Sequence, residues 1–200
     1  MNAIVPPVTR IDPVDVMPTL LIAFADDPPI RWLYPDDDTY EQAFPELVLL
    51  SAGTGFDAGT VDVAEGGAAV AVWAPPGREP DPEEVGAAWF AHFAAHIDPA
   101  RLGDVFSWAE QVGRFHPTRR HWYLAQIAVT PGQQGRGHGS ALLRSGLERC
   151  DRDGLPAYLE SSDPRNRALY ERHGFEVIDE VRFADSPPIW PMLRPPIDER

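Results

Sequence analysis

A glycine-rich segment at residues 133–140 (QQGRGHGS) has the clearest capacity for chemistry in this sequence. It follows an apolar run over residues 123–129 that is typical of a buried strand, and it precedes a helical pattern with Leu143 and Leu147 on one face. Glycine lacks a Cβ, so the backbone of such a segment can approach a ligand closely. The first amides of the following helix point outward without partners, at the positive end of the helix dipole. This arrangement predicts an anion site, most often one for phosphate.

Two common phosphate-binding loops fit this segment poorly. The Walker loop requires a lysine after its last glycine, but all 17 basic residues are arginines and the sequence contains no lysine. The dinucleotide fingerprint G-x-G-x-x-G matches at Gly135 and Gly137 and fails at Ser140. Glu160 follows about twenty residues later, as a ribose-binding acid would, but too few residues remain for the βα units of such a domain. A NAD(P)-binding module is therefore a minor alternative.

The composition limits the class of protein and its partners. Two hundred residues, 44% of them hydrophobic, suit one soluble domain with a full core. The formal net charge of −14 disfavours a nucleic-acid surface, which needs clustered cations. That charge either attracts a cationic substrate such as an amine or only aids solubility. The single cysteine, Cys150, fits a reducing compartment, and neither a signal peptide nor a membrane span is recognised, so we expect a cytoplasmic protein.

The order of predicted elements indicates a mixed α/β fold. Strands are expected over residues 8–11, 60–64, 68–73, 122–129, 157–160, 175–183 and 189–193. Helices are expected after Asp12, over residues 40–50, in two pieces between residues 81 and 115, from the glycine-rich segment to about residue 152, and after Asp163. Pro28 and Pro29 are expected to end the first helix. We therefore expect an α/β (α+β) three-layer fold with a mixed sheet.

Two motifs on this order of elements resemble the GNAT superfamily of N-acetyltransferases. Residues 134–139 (QGRGHG), behind a strand that ends in 127–131 (IAVTP), are similar to the family's acyl-CoA loop. Residues 166–175 (NRALYERHGF) are similar to its second signature, a helix from Asn to Tyr that ends at Gly-Phe. The resemblance covers about residues 68–193. The layout is also similar to puromycin N-acetyltransferase-like members, although Asp27 stands where we expect an aromatic residue in that enzyme.

The resemblance implies acetyl-CoA as the cofactor. The pyrophosphate of coenzyme A is expected on the loop backbone and the pantetheine arm on the strand end. The residues expected to contact the cofactor are Ile127, Ala128, Val129, Gln134, Gly135, Arg136, Gly137, His138, Gly139, Ser140, Asn166 and Tyr170. The amide of Ile127 or of Ala128 is expected to polarise the thioester carbonyl. Arg136 either adds a cation or is an exposed loop residue.

Tyr170 and Glu160 are the expected catalytic residues. Asn166 and Tyr170 are four positions apart and share one helix face, and the resemblance makes Tyr170 the general acid that protonates the leaving thiolate. The attacking amine must be neutral. Glu160, at a strand end, is the first candidate for removing its proton, and Asp26 and Asp27 are the next. Because a carboxylate with a pKa of about 4 is a weak base toward an ammonium, a water relay is an equal alternative.

The acceptor pocket and a histidine pair complete the predicted sites. The residues expected to bind the acceptor are Asp26, Asp27, Trp32, Tyr34 and Trp122. His92 and His96 have the i, i+4 spacing of a zinc pair, but Phe93 stands where a glutamate is required. No third ligand is evident from the sequence, so no metal is predicted.

We therefore expect one N-acetyltransferase domain over residues 1–200, with a cofactor-binding core at about 120–195 and acceptor-site helices at about 12–56 and 81–115. The resemblance implies a central sheet splayed between two parallel strands, with helices on both faces. The expected reaction moves an acetyl group from acetyl-CoA to the amine of a small molecule, directly in a ternary complex. A non-catalytic acyl-CoA-binding sensor of the same fold is the chief alternative. Neither nucleic acid nor a membrane is expected as a partner, and a homodimer is left open.

Overall fold

The computed structural model describes residues 11–78 and 81–197, which form a six-stranded mixed sheet with helices on both faces. The helices are α1 (Pro13–Phe24), α2 (Pro28–Leu33), α3 (Asp37–Ala58), α4 (Pro82–His96), α5 (Leu102–Gly113), α6 (His138–Asp153) and α7 (Pro164–Glu171). The strands are β1 (Val61–Ala64), β2 (Ala69–Ala74), β3 (Trp122–Val129), β4 (Ala157–Ser161), β5 (Glu176–Val177) and β6 (Trp190–Arg194). Their order across the sheet is β1-β2-β3-β4-β6-β5. The predicted α/β fold with a mixed sheet is confirmed.

The parallel pair of β3 with β4 is joined over two residue pairs only. Trp122 lies opposite Ala157 and Tyr123 lies opposite Tyr158, and the two strands separate beyond them. On their outer sides, β3 pairs with β2 and β4 pairs with β6, antiparallel in both cases. The sheet therefore opens between its two central strands, and both strands present an unpaired edge to the gap.

Alternate residues of β2 face two different apolar cores, because successive side chains of a strand point to opposite faces. Val70 and Val72 belong to a core formed with α1, α3, α4 and α5. Ala69, Ala71 and Trp73 belong to the opposite core, where α6 packs. The helices expected to build an acceptor site thus lie on one face, and the helix behind the glycine-rich segment lies on the other.

Glycines allow two helices to approach β2 closely from opposite sides. A Cβ added to Gly146 of α6 would lie 2.1 Å from Cε2 of the buried Trp73 ring. A Cβ added to Gly55 of α3 would lie 2.7 Å from the Trp73 carbonyl oxygen. Neither position has room for a larger residue unless the helix or the strand moves, so β2 is held tightly between the two layers.

Capping aspartates set the start of several helices. Asp12 and Asp163 cap α1 and α7 as predicted. The first helix ends at Phe24, before Pro28 and Pro29, as expected, but the sequence analysis does not predict the second helix that these prolines begin. Asp27 caps a second helix there, and Pro28 takes its first position, where a missing N–H leaves no hydrogen bond unmade.

Other predicted elements differ in length or lie outside the described residues. Helix α3 continues past residue 50 until Gly59 takes a left-handed conformation (φ 68°). The strand expected over residues 175–183 is reduced to β5 and a bridge between Val181 and Ile189. Three of the four residues of the strand expected at 8–11 lie outside the described residues. Within residues 11–78 and 81–197, no helix has both the length and the apolar character needed to cross a membrane.

We expect Gly146→Ala to lower the free energy of unfolding by about 1–3 kcal/mol, because the new methyl group overlaps the Trp73 ring. Chemical denaturation measures this. Gly53→Ala in α3 is the matched control, since a Cβ there meets no atom within 4 Å. It should leave stability unchanged or raise it by up to about 1 kcal/mol. Equal effects of the two substitutions would contradict the close approach of α6 to β2.

Candidate active site

A cavity of about 1460 Å³ extends from the glycine-rich segment and the end of β3 to the helices of the acceptor side. The predicted site residues that line it are Asp26, Asp27, Ile127, Ala128, Val129, Gln134, Gly135, Gly137, His138, Gly139, Ser140, Glu160, Asn166 and Tyr170. Arg136, Trp32, Tyr34 and Trp122 do not line it. Both predicted motifs and the three predicted acids therefore meet at one cavity.

The glycine-rich segment presents a run of unpaired backbone amides. Gly135 (φ 74°) and Gly137 (φ 88°) take left-handed conformations that bend the chain into α6. The amide of Ala141 makes the first hydrogen bond of the helix, to the Gly137 carbonyl, and none of the amides from 135 to 140 donates to another described residue. At the positive end of a 16-residue helix, these amides fit a diphosphate. The Arg136 side chain is exposed next to them.

Side-chain contacts fix this segment to its neighbours. The Gln134 side-chain amide donates to the carbonyl of Val129 at the end of β3 (3.2 Å). The Ser140 hydroxyl lies 3.1 Å from Nε2 of His173, which follows α7. The segment is thus tied both to the central strand and to the helix that carries Tyr170.

The hydrogen-bond register of β3 decides which amides face the gap. The amide of Thr130 donates to the carbonyl of Ala68 next to β2 (2.9 Å). Hydrogen-bonded pairs alternate along an antiparallel ladder, so the Ala128 amide also points toward β2, and the amides of Ile127 and Val129 point away from it. Of the two amides that the sequence left open, that of Ile127 is directed at the gap.

Tyr170 and Asn166 both border the cavity from α7. The Tyr170 side chain is buried, and its ring meets that of Phe175 edge to face, with the centroids 6.1 Å apart. Its hydroxyl has no hydrogen-bond partner among the described residues. Burial, and after it the charge of Asp27, raises the pKa of Tyr170 well above its usual range. The phenol therefore keeps its proton near neutral pH and is available as an acid.

Asp27 and Asp26 enter the cavity from the end of α1. Asp26 is exposed, whereas Asp27 is half-buried. One Asp27 oxygen accepts a hydrogen bond from the Ile30 amide (3.2 Å), and the other accepts one from the Ser162 hydroxyl. Burial raises the pKa of Asp27 to about 6, although both hydrogen bonds act to lower it.

Glu160 faces a pair of histidines that the sequence analysis did not single out. Nδ1 of His121 must carry a proton, because it lies 2.8 Å from the carbonyl of Arg119, which can only accept. In a neutral pair, Nε2 of His121 then accepts from Nε2 of His116 (3.1 Å). This leaves Nδ1 of His116 with a lone pair, 3.7 Å from Oε1 of Glu160. A proton taken up at this nitrogen would form an ion pair with Glu160.

The three aromatic residues predicted for the acceptor pocket lie outside the cavity. The Trp32 indole donates to Asp185 (3.0 Å), and Tyr34 is buried with its hydroxyl 2.6 Å from Nε2 of His92. Trp122 packs in the core beneath α6 and donates to Asp153 (3.0 Å). Besides Tyr170, the Phe, Trp and Tyr residues that line the cavity are Phe24, Trp89, Phe93, Phe106, Trp108 and Tyr123. Sequence spacing shows an apolar helix face but not what that face borders.

The sequence shows no third ligand for His92 and His96, but the structure places Glu46 next to both rings. Oε2 of Glu46 lies 3.3 Å from Nδ1 of His92 and 3.1 Å from Nε2 of His96. Burial lowers the pKa of His92, and hydrogen bonds with both rings lower the pKa of Glu46. None of the three residues lines the cavity. No spacing rule reveals Glu46, because it lies on another helix, 46 positions before His92.

Comparison with known proteins identifies the family. The model of the acetyltransferase (GNAT) family matches residues 73–175, which is more than half of the chain. An uncharacterised N-acetyltransferase of Schizosaccharomyces pombe is 38% identical over 81 residues, which cover 39% of this chain and 33% of that protein. Mycothiol acetyltransferase of Streptomyces scabiei is 38% identical over 87 residues, which cover 40% of this chain and 28% of that protein. The match spans a third or less of either curated relative.

Solved structures share the fold over nearly the whole chain. A Corynebacterium glutamicum protein described as histone acetyltransferase HPA2 and related acetyltransferase is 28% identical, with a TM-score of 0.65 over 95% of this chain and 94% of that one. A mosquito arylalkylamine N-acetyltransferase-like protein shares the fold at 18% identity, with a TM-score of 0.60 over 94% of this chain and 97% of that one. The finer resemblance to puromycin N-acetyltransferase-like members stays a prediction. Because the family model matches more than half of the chain and the central strands separate, we conclude that the chain belongs to the acetyltransferase (GNAT) family, whose members use acetyl-CoA.

Proposed function

We propose that the chain transfers an acetyl group from acetyl-CoA directly to the amine of a small molecule while both are bound. One observation carries the proposal. A single cavity is bordered by the unpaired amides of residues 135–140, by Ile127, by the Tyr170 side chain and by Glu160. Acetyl transfer to an amine requires groups that bind an anion, polarise a carbonyl, donate a proton and remove a proton.

The cofactor side of the cavity uses backbone groups and one phenol. The amides of residues 135–140 would hold the diphosphate, and the unpaired edge of β3 would pair with the pantetheine arm. When bound, acetyl-CoA supplies an acetyl thioester whose sulfur departs as a thiolate. The Ile127 N–H stabilises negative charge that develops on the carbonyl oxygen, an effect worth a few kcal/mol per donor. Tyr170 gives its hydroxyl proton to the departing sulfur.

The amine side offers a route for the proton that the amine must lose. Glu160 takes this proton, directly or through one water molecule, and passes it to Nδ1 of His116, 3.7 Å away. Imidazole is a stronger base than a carboxylate, and it is the side chain best suited to take up a proton near neutral pH. By accepting the proton from Glu160, His116 would make this pair a more effective base than a carboxylate alone.

The lining of the cavity indicates the kind of acceptor. Asp26, Asp27 and Glu160 attract a protonated amine before it reacts, in a chain with a net charge of −14. Trp89 and Phe93 of α4 provide an apolar wall. We therefore propose a small amine with an apolar, preferably aromatic, body.

Binding and turnover of the purified chain test the proposal. Acetyl-CoA should raise the melting temperature, and a panel of arylalkylamines and aliphatic amines should contain acceptors that release free thiol. Stabilisation by acetyl-CoA without thiol release for any amine would favour the non-catalytic sensor. Stabilisation by NAD and none by acetyl-CoA would overturn the proposal.

We expect Tyr170→Phe to lower kcat by about 10²-fold or more, because the departing sulfur loses its proton donor. The fold should persist, since the hydroxyl has no described partner to lose. Tyr40→Phe is the control, because Tyr40 is equally buried but does not line the cavity. Steady-state thiol release measures both variants. Unchanged turnover of Tyr170→Phe across the pH range would remove Tyr170 from the mechanism.

We expect the stability of the wild type to fall by about 1 kcal/mol relative to Asp27→Asn between pH 5 and pH 8. The folded-state pKa of Asp27, about 6, lies above its ordinary value of 3.8, so the folded state binds the proton more tightly. This contribution to stability is complete below about pH 3.8 and is lost as the pH rises through 6. Asparagine keeps the helix cap without the charge.

Urea denaturation of the wild type and Asp27→Asn at pH 5, 6.5 and 8 measures this difference. Asp26→Asn is the control, since Asp26 is exposed. A stability difference between the wild type and Asp27→Asn that does not change with pH would show that the carboxylate titrates normally.

A further inference from the structure

A cluster of three side chains capable of binding a metal lies between α3 and α4, outside the acetyl-transfer cavity. Its members are Glu46, on α3, and His92 and His96, in the last two turns of α4. One oxygen of Glu46, Oε2, lies 3.3 Å from Nδ1 of His92 and 3.1 Å from Nε2 of His96. All three donor atoms lie within 4.8 Å of one another.

Two of these separations are close to those between the donors of a tetrahedral zinc site. Zinc binds nitrogen and oxygen donors at about 2.0–2.1 Å, which places neighbouring donors of a tetrahedron about 3.3 Å apart. The two short contacts of Glu46 are close to this value. The i, i+4 spacing of His92 and His96 puts both rings on the same face of α4, turned toward α3. The cation therefore requires only small side-chain adjustments and no rearrangement of either helix.

A buried tyrosine contacts the ring nitrogen of His92 that is not in contact with Glu46. The hydroxyl of Tyr34 lies 2.6 Å from Nε2 of His92, and the Tyr34 side chain is fully buried. In metal sites, the ring nitrogen that does not bind the metal usually donates to an oxygen, which fixes the orientation of the ring. With a metal ion in place of the hydrogen bond between Nδ1 and Glu46, His92 would carry its proton on Nε2 and donate it to the Tyr34 hydroxyl.

We propose that Glu46, His92 and His96 form a zinc site with three protein ligands and a fourth position open to water. The Glu46 side chain is 60% exposed, so the cluster opens to solvent on that side. Two imidazoles and one carboxylate suit zinc better than magnesium or calcium, which prefer oxygen ligands alone. The site does not depend on the proposed acetyl transfer, because none of its ligands reaches the cavity.

The cation would connect two helices that both line the acceptor side of the cavity. Trp89 and Phe93 of α4, and Leu47 and Ser51 of α3, are cavity residues next to the cluster in sequence. A cation bound by Glu46 of α3 and by His92 and His96 of α4 would hold this wall in place. Its role is therefore structural, in the part of the site that shapes the acceptor pocket.

Zinc binding to the tag-free, chelator-treated chain tests the proposal. Isothermal titration with Zn²⁺ should show one site per chain, and about 100 µM Zn²⁺ should raise the melting temperature by about 5 °C if the site binds in the low micromolar range. Mg²⁺ at the same concentration should do neither. Co²⁺ should give the strong visible absorption of a four-coordinate site.

Glu46→Gln and His96→Gln should each weaken Zn²⁺ binding at least tenfold and abolish the rise in melting temperature. Glu41→Gln, an exposed glutamate on the same helix, is the matched control and should bind Zn²⁺ as the wild type does. The proposal is overturned if the wild type binds no Zn²⁺ below about 100 µM. It is equally overturned if both ligand variants bind as the wild type does, which would move the metal to another histidine pair such as His116 and His121.

Discussion

The early separation of β3 from β4 is the constraint on which the rest of the structure depends. Parallel pairing stops after Tyr123 and Tyr158, so the backbone groups farther along both strands face a gap. A buried N–H or C=O without a partner costs about 1–3 kcal/mol. Such an edge is therefore stable only where water or a ligand can satisfy it, and the cavity gives access to both. The same feature that would weaken an ordinary sheet leaves this one with the edge to which the pantetheine arm is proposed to bind.

Three aromatic rings mark the point at which the strands separate. The ring of His116 lies 5.0 Å from the ring of Tyr123 and 5.0 Å from that of Tyr158, and the two tyrosine rings lie 6.0 Å apart. Glu160 is two residues beyond Tyr158 on the same strand, so it points to the same face. His116 therefore both packs at the apex of the gap and faces Glu160. The ring cluster at the point of separation and the proposed route of the proton thus share one side chain, His116.

Signals within a few residues predict most helices and strands of this fold. The contacts that the sequence does not predict join residues far apart in the chain. The apolar run of β3 and the glycines before α6 act within a few residues, and both were recognised with their bounds nearly correct. Asp27 before Pro28 carries the same capping signal as Asp12 before Pro13. The apolar spacing of α1 stops at Phe24, however, so the local pattern favours the end of one helix over the start of another. The partners of Glu160 and of His92 lie more than forty positions away, on elements whose relative placement only the packed sheet decides.

The electrostatics of the cavity separate the two proton transfers of the proposed reaction. Asp27 contributes to the raised pKa of Tyr170, so it favours the phenol that must still hold a proton when the sulfur departs. Its own carboxylate accepts from Ser162 and from the first turn of α2, contacts that occupy both oxygens. Asp27 is thus better placed to keep the acid protonated than to act as the base. Glu160 has an acceptor for the proton in His116 and does not contribute to the raised pKa of Tyr170. In the proposed reaction, the proton leaving the amine and the proton reaching the sulfur therefore use different groups, and the first transfer precedes the second because only a neutral amine can attack.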